Sequence, residues 1–277
     1  MPNLLLGLIG DNIAASRAPE LHGKVGSLTG FEVQYNRLVP REMGLDFDGV
    51  FQHCLDQGYQ GINVTYPYKE VAAAKCEIAD PLVRAMGAVN TVILDGSDQP
   101  KGYNTDYSGF VAAYRSIRGD TKPGPVCMVG AGGVGKAVAF GLLDLGLEEI
   151  HLVERDLPRA EALADALRTA RPGIRATVTS DPAVGAKGAH GLVNCSPVGM
   201  VGYDDTPLPA EHMTGAAWAF DAVYTPVNTQ FLGDAKTQGL TAISGYELFF
   251  AQGVDAWEIF SGKPVDPASL RAALAAN

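Results

Sequence analysis

Cysteine is scarce and scattered in this 277-residue chain: Cys54, Cys76, Cys127 and Cys195 form no CxxC motif and no Cys/His cluster. That excludes a disulfide framework and gives no sign of a metal site, and thiols so distributed suit a reducing cytoplasm. No stretch reaches about 18 uninterrupted apolar residues, so the pattern offers no membrane helix. The opening Met1 to Gly10, MPNLLLGLIG, lacks the basic flank and cleavage site of a secretory signal and reads as a buried first strand. Positive charge is also short. The 21 Lys and Arg stand against 31 Asp and Glu, and a formal net charge of −10 repels nucleic-acid phosphates and anionic lipid. Internal repeats and low-complexity runs are absent as well. The expected partner is therefore a small molecule, with neither nucleic acid nor a membrane involved.

What the chain does have is 47% hydrophobic residues with 33 Gly and 17 Pro, the composition of an ordinary globular protein. Its length favours two domains. Short apolar runs alternate with helical patterns: LLLGLIG, a helix near Pro19 to Leu28, the strand FEVQYNRLV, a helix over Met43 to Gly58, the strand GINVTYP, a helix over Tyr68 to Lys75 and the strand AVNTVIL. A helix from Tyr107 to Arg118 follows, then the loop GDTKPGP. Beyond it PVCMV, a glycine-rich turn, a helix to Gly146, EIHLV and a helix from Pro158 to Ala170 form a βαβα series, extended by ATVTS, GLVNCS and AWAFDAV. Such alternation predicts an α/β protein with a parallel sheet in its second half. The last stretch, Tyr246 to Ser261, carries a thick apolar helical face that should return to the first unit.

The strongest local signal is GAGGVG, Gly130 to Gly135, lying between a strand and a helix. In that setting the pattern marks a dinucleotide site: Gly130 permits the tight turn, Gly132 lets the backbone approach the pyrophosphate, and Gly135 lets helix and strand pack. A nucleoside-triphosphate loop would continue GxxxxGK with Ser or Thr, and here Ala137 follows Lys136. Glu154, about 20 residues past the glycines, is placed to accept hydrogen bonds from a ribose hydroxyl and to repel a 2′-phosphate, which favours NAD over NADP. Arg155 and Arg159 lie nearby and temper that preference.

An enzyme that moves hydride from an alcohol to a nicotinamide also needs a group to take the hydroxyl proton. Two stretches offer one: NVTYPYK, with Lys69 in the first turn of a helix, and GYNTDYSGF, with Asp106 at a strand-to-helix junction. Either residue alone is more often a surface lysine or a helix cap.

Taken together, IGDNIAASRAPELH, NVTYPYK, GAVNT, GYNTD, GAGGVGKA, NCSPVGM, DAVYTPVNT and GYELFFAQ resemble, in order and over nearly the whole chain, the shikimate dehydrogenase family with its quinate/shikimate members. The resemblance implies a Rossmann-type, doubly wound nucleotide domain over 107–241 and a smaller α/β substrate domain over 1–106, completed by 242–277. It implies a catalytic cleft at their junction. Lys69 and Asp106 would be the catalytic pair, and Ser16, Thr65, Asn90, Tyr224 and Gln252 would hold a cyclic hydroxy acid. Gly130, Gly132, Gly133, Val134, Gly135, Glu154, Arg155, Asn194, Ser196, Pro197, Met200 and Val223 would line the dinucleotide. A homodimer is a family expectation.

The chain departs from the family in two places. The SxSP carboxylate clamp has Ser16 first but Ala18 second, and an upstream histidine is replaced by Ala15, so a relative of shikimate is a candidate substrate. Glu154, Arg155 and Asp156 stand where NADP-using members carry Asn-Arg-Thr, which resembles the NAD-using enzymes. Competing readings are a dinucleotide-binding sensor of the same fold, motivated by the altered clamp, and a folate-interconverting dehydrogenase of related architecture. The Asn90, Asp106 and Gln252 set fits a cyclic hydroxy acid better.

Overall fold

Short apolar runs become strands, and the segments between them helices, throughout the computed structural model, which describes residues 2–97 and 99–276. The chain divides into two compact units, Met1–Thr105 with Gln252–Asn277, and Asp106–Ala251.

The first unit begins with β1 (Asn3–Ile9), α1 (Ala18–Thr29), β2 (Glu32–Leu38), α2 (Pro40–Met43), α3 (Phe47–Asp56), β3 (Gly61–Val64), α4 (Lys69–Ala73), α5 (Pro81–Met86), β4 (Thr91–Ile93) and β5 (Lys101–Tyr103). The strands form one sheet in the order β2-β1-β3-β4-β5, with β1 parallel to both neighbours and the last two pairs antiparallel. Covered on both faces, β1 and β3 bury Leu6, Ile9 and Ile62 completely, which is why these segments read as continuous apolar runs. The helix expected over Met43 to Gly58 is instead two helices. Gly44 ends α2 in the left-handed region at φ 67°, and α3 restarts where the Asp46 carboxylate accepts the Gly49 N–H at 2.8 Å.

Chain direction explains what this sheet can present. From β1 the chain passes to β2 on one side and then to β3 on the other, so loops diverge at the carboxyl ends of β1 and β3. Because β4 runs oppositely, its first residue, Thr91, pairs with Asn63, and Tyr103 at the end of β5 pairs with Thr91. One end of the sheet therefore gathers the segments after β1, after β3, before β4 and after β5.

The second unit contains most of α6 (Thr105–Arg118), then β6 (Val126–Val129), α7 (Gly133–Asp144), β7 (Glu149–Val153), α8 (Leu157–Ala170), β8 (Arg175–Thr179), α9 (Pro182–Ala186), β9 (Gly191–Asn194), β10 (Trp218–Asp221), α10 (Gln230–Thr237) and β11 (Thr241–Ser244). Its sheet is entirely parallel, in the order β11-β10-β9-β6-β7-β8. Counted from β6 as the first strand, this is the 3-2-1-4-5-6 arrangement of doubly wound dinucleotide folds, with its switch point between β6 and β9.

Of α11 (Gly245–Ser261), the residues to Ala251 belong to the second unit, as does β11, and those from Gln252 belong to the first. The boundaries expected from the sequence, 1–106 with 242–277 against 107–241, shift: Asp106 and residues 242–251 belong to the second unit, and parallel pairing of β11 with β10 keeps that strand in the second sheet. Trp257 is fully buried, edge-on to Phe31 at 5.4 Å, and Phe260 lies 5.7 Å from the His22 ring. The final helix, α12 (Pro267–Ala275), packs on α1.

Candidate active site

In the first unit, the segments after β1 and β3 are laced together. Thr65 N–H donates to the Ile9 carbonyl at 2.9 Å, Asp11 N–H to the Tyr66 carbonyl at 3.2 Å, and the Tyr68 hydroxyl to Asp11 Oδ1 at 2.7 Å, a bond that raises the Tyr68 pKa. Ser16 follows on the β1 side, its hydroxyl accepting the Ala18 N–H at 3.3 Å and its carbonyl accepting from Arg37 at 2.8 Å. Lys69 opens α4 and is 9% exposed. Its carbonyl accepts the Val89 N–H at 2.9 Å, which ties α4 to the residue before Asn90.

Asn90 lies at the centre of a buried polar cluster. Its Oδ1 receives the Thr105 N–H at 2.7 Å and lies 3.0 Å from Thr91 Oγ1 and 3.2 Å from Thr105 Oγ1. Thr105 Oγ1 is 3.5 Å from Gln252 Oε1. On the other side, Asn63 Nδ2 donates to Thr91 Oγ1 at 3.0 Å and to the Asn90 carbonyl at 3.3 Å, and the Tyr35 hydroxyl donates to Asn63 Oδ1 at 2.8 Å. His22 stacks on Tyr35 with ring centroids 4.9 Å apart. Burial lowers the His22 pKa to about 3, against the opposing hydrogen bond with Asn63, so the ring is neutral at physiological pH.

In the second unit, the glycine turn lies at the sheet's switch point. Gly130 adopts φ +97°, and a Cβ there would stand 2.7 Å from the Cys195 and Ser196 backbone. A Cβ at Gly135 would fall on the Gly130 carbonyl, whereas one at Gly132 would meet nothing within 4 Å. Gly130 and Gly135 thus make the turn tight, and Gly132 leaves its outer side open at the amino end of α7, where Gly133 and Val134 begin the helix. A bare backbone beside a helix N-terminus fits a pyrophosphate. Glu154 closes the turn: its Oε2 accepts the Ala131 N–H at 2.9 Å, and its Oε1 accepts those of Arg155 at 2.8 Å and Asp156 at 3.2 Å. A carboxylate has about four acceptor positions, so room remains for a ribose hydroxyl. Arg155 is exposed.

Behind the turn, Asn194 orders the segment after β9. Its Oδ1 accepts the Ser196 N–H at 3.0 Å and hydroxyl at 2.6 Å, and its Nδ2 donates to the Val198 carbonyl at 3.0 Å and to Asp221 Oδ1 at 2.9 Å. Asp221, wholly buried, also accepts from Val223 N–H at 3.0 Å and from the Thr229 hydroxyl at 2.6 Å. Desolvation outweighs these bonds and raises its pKa to about 6. Burial, reinforced by Asp221, pushes the Cys195 thiol well up, so it is no nucleophile.

Of the sequence-predicted residues, Ser16, Thr65, Lys69, Asn90 and Gln252 belong to the first unit. Asp106 and Tyr224 belong to the second, where the Tyr224 ring stacks on Phe249 at 5.2 Å. Pro197 and Met200 are exposed on the segment after Asn194, and Val223 is buried beside Asp221. Sequence reasoning missed Asn63, Thr91, Thr105 and Asp221. For Asn63, Thr91 and Asp221 the one legible signal is a polar residue in or at the end of an otherwise apolar strand, whereas Thr105 opens α6. No group of three or more potential metal ligands occurs among the described residues.

The family described as "Shikimate dehydrogenase substrate binding domain" matches residues 8–92. The chain is 34% identical over 275 residues to the quinate/shikimate dehydrogenase (NAD(+)) of Corynebacterium efficiens, spanning 98% of this chain and 97% of that protein. It is 35% identical over 273 residues to the shikimate dehydrogenase (NADP(+)) of Pseudarthrobacter chlorophenolicus, spanning 96% and 92%. Among solved structures, quinate dehydrogenase from Corynebacterium glutamicum in complex with NAD superposes with a TM-score of 0.92 at 32% identity over 100% of both chains. Shikimate 5-dehydrogenase from Thermus thermophilus, in complex with NADP(H) and shikimate, gives 0.84 at 34% identity over 99% of each.

Proposed function

The chain belongs to the shikimate dehydrogenase family, and from that membership we propose that it oxidises a ring hydroxyl of shikimate or quinate to the ketone, preferring NAD to NADP. The carrying observation is the convergence of Ser16, Thr65, Lys69 and Asn90 at one end of the first sheet, in a chain whose second sheet bears a bare glycine turn at its switch point.

When bound, the nicotinamide supplies the hydride acceptor. The Lys69 amine takes the proton of the reacting hydroxyl, and Asp106 is the acidic member of the catalytic set. Thr65, Asn90, Tyr224 and Gln252 hold the ring hydroxyls or the carboxylate, and Ser16 belongs to the carboxylate clamp. With Ala18 in place of a second hydroxyl, that clamp is one donor short, which favours a substrate set that includes relatives of shikimate. Glu154 supports the NAD preference, because its carboxylate lies against the glycine turn, where a 2′-phosphate would be repelled. Gly133, Val134, Gly135, Asn194, Ser196, Pro197, Met200 and Val223 complete the dinucleotide site, and the cytoplasm is the setting.

The test is NAD reduction with shikimate and with quinate by the wild type, Lys69→Met and Asp106→Asn. Loss of a general acid or base lowers kcat by about a hundredfold or more. Near-normal turnover in either variant, with dinucleotide binding intact, overturns the assignment.

A further inference from the structure

We propose that Thr91 and Thr105 are positioning residues that fix the Asn90 side-chain amide with its oxygen inward and its NH2 outward, so that Asn90 meets a ligand only as a hydrogen-bond donor. The proposal rests on the reading of Asn90 as a substrate-binding residue and adds what orients it.

The direction of the amide follows from hydrogen-bond chemistry. A backbone N–H can only donate, so the Asn90 atom 2.7 Å from Thr105 N is the oxygen. Asn63 is fixed in the same way, because the atom it offers to the Asn90 carbonyl must be a nitrogen. Asn63 Nδ2 therefore donates into Thr91 Oγ1, and the single Thr91 hydrogen is directed onward, to Asn90 Oδ1 at 3.0 Å or to Thr105 Oγ1 at 3.1 Å. From Tyr35 through Asn63 and Thr91, the donors all run toward Asn90.

The Thr105 N–H and two hydroxyls lie within 3.2 Å of the amide oxygen, while no protein acceptor among the described residues takes up the amide nitrogen. Nor is that nitrogen sealed in. The buried partnerless side-chain atoms among the described residues are His22 Nδ1 and Trp257 Nε1. Thr91 and Thr105 are 0% and 1% exposed, positions where valine has the same shape and carries no polar group to satisfy. Their hydroxyls serve the amide. The ligand atom that faces Asn90 is accordingly an acceptor oxygen, such as a ring hydroxyl or ketone, and an ammonium at the same ring position is rejected.

The experiment measures shikimate binding to the full chain by calorimetry without dinucleotide, as a double-mutant cycle over Thr91→Val and Asn90→Ala, with Thr91→Ser as the conservative rescue. Thr91→Val is expected to weaken binding about five- to tenfold, the scale of one hydrogen bond. Thr91→Ser should restore it, and Thr91→Val should have no further effect in the Asn90→Ala background. Unchanged affinity in Thr91→Val overturns the proposal, as does the same fold-loss in both backgrounds. If Thr91→Val does not fold, Thr105→Val, which keeps the backbone N–H, is read by the same criteria. Unchanged affinity in Asn90→Ala is the separate result that sinks the reading of Asn90 itself, and the proposal with it.

Discussion

Asp221 ends β10 with no exposed surface, in contact with Asn194, Val223 and Thr229, and desolvation raises its pKa from 3.8 to about 6. A carboxyl whose pKa is higher in the folded than in the unfolded chain holds its proton more tightly when folded. Its contribution to stability is therefore full below about pH 4, falls as pH rises toward 6, and is flat beyond. A rise of about two pH units corresponds to about 3 kcal/mol. Asp221→Asn removes the titration. The asparagine oxygen can still accept from Asn194 and Val223, and reversing the Thr229 bond adds an offset of about 1 kcal/mol that does not vary with pH. Urea unfolding of both proteins from pH 4 to pH 7 at constant ionic strength isolates the effect in their difference. The wild type should lose about 2.5 kcal/mol relative to Asp221→Asn across that range. Parallel stability curves would refute the reasoning.

Further outcomes are expected. Glu154→Ser should weaken NAD and relatively improve NADP, read as a ratio of kcat/KM values; an unmoved ratio would show that Glu154 only braces the turn through Ala131, Arg155 and Asp156. Gly130→Ala should abolish dinucleotide binding and destabilise the fold, since φ +97° alone costs about 1–2 kcal/mol and the added Cβ meets backbone 2.7 Å away. Calorimetric titration with NAD and thermal melting check both effects, and wild-type affinity would contradict them.

The second unit was largely legible because parallel strands covered on both faces leave apolar runs, and because the glycine turn needs glycine at Gly130 and Gly135 for steric reasons. The short helices α5, α9 and α12 were not anticipated. Each has a start signal, Asp80, Asp181 or Asp266 capping a helix that opens on proline, but five to nine residues show little periodicity. The Asn63–Thr91–Asn90–Thr105 cluster was illegible for a different reason. It depends on the antiparallel register of β3, β4 and β5, which brings together residues far apart in the chain, and no local pattern encodes that register. Lys69 and Asp106 are each offered by their own stretch, but only the joint motif set joins them as a pair, since each alone has the sequence context of a surface lysine or a helix cap.

The most direct test is the steady-state rate of nicotinamide reduction by the purified chain with shikimate, quinate and related cyclic hydroxy acids, each against NAD and NADP. Turnover with at least one of these acids and a higher kcat/KM with NAD are expected. Tight dinucleotide binding without turnover on any of them would contradict this expectation and favour a sensor.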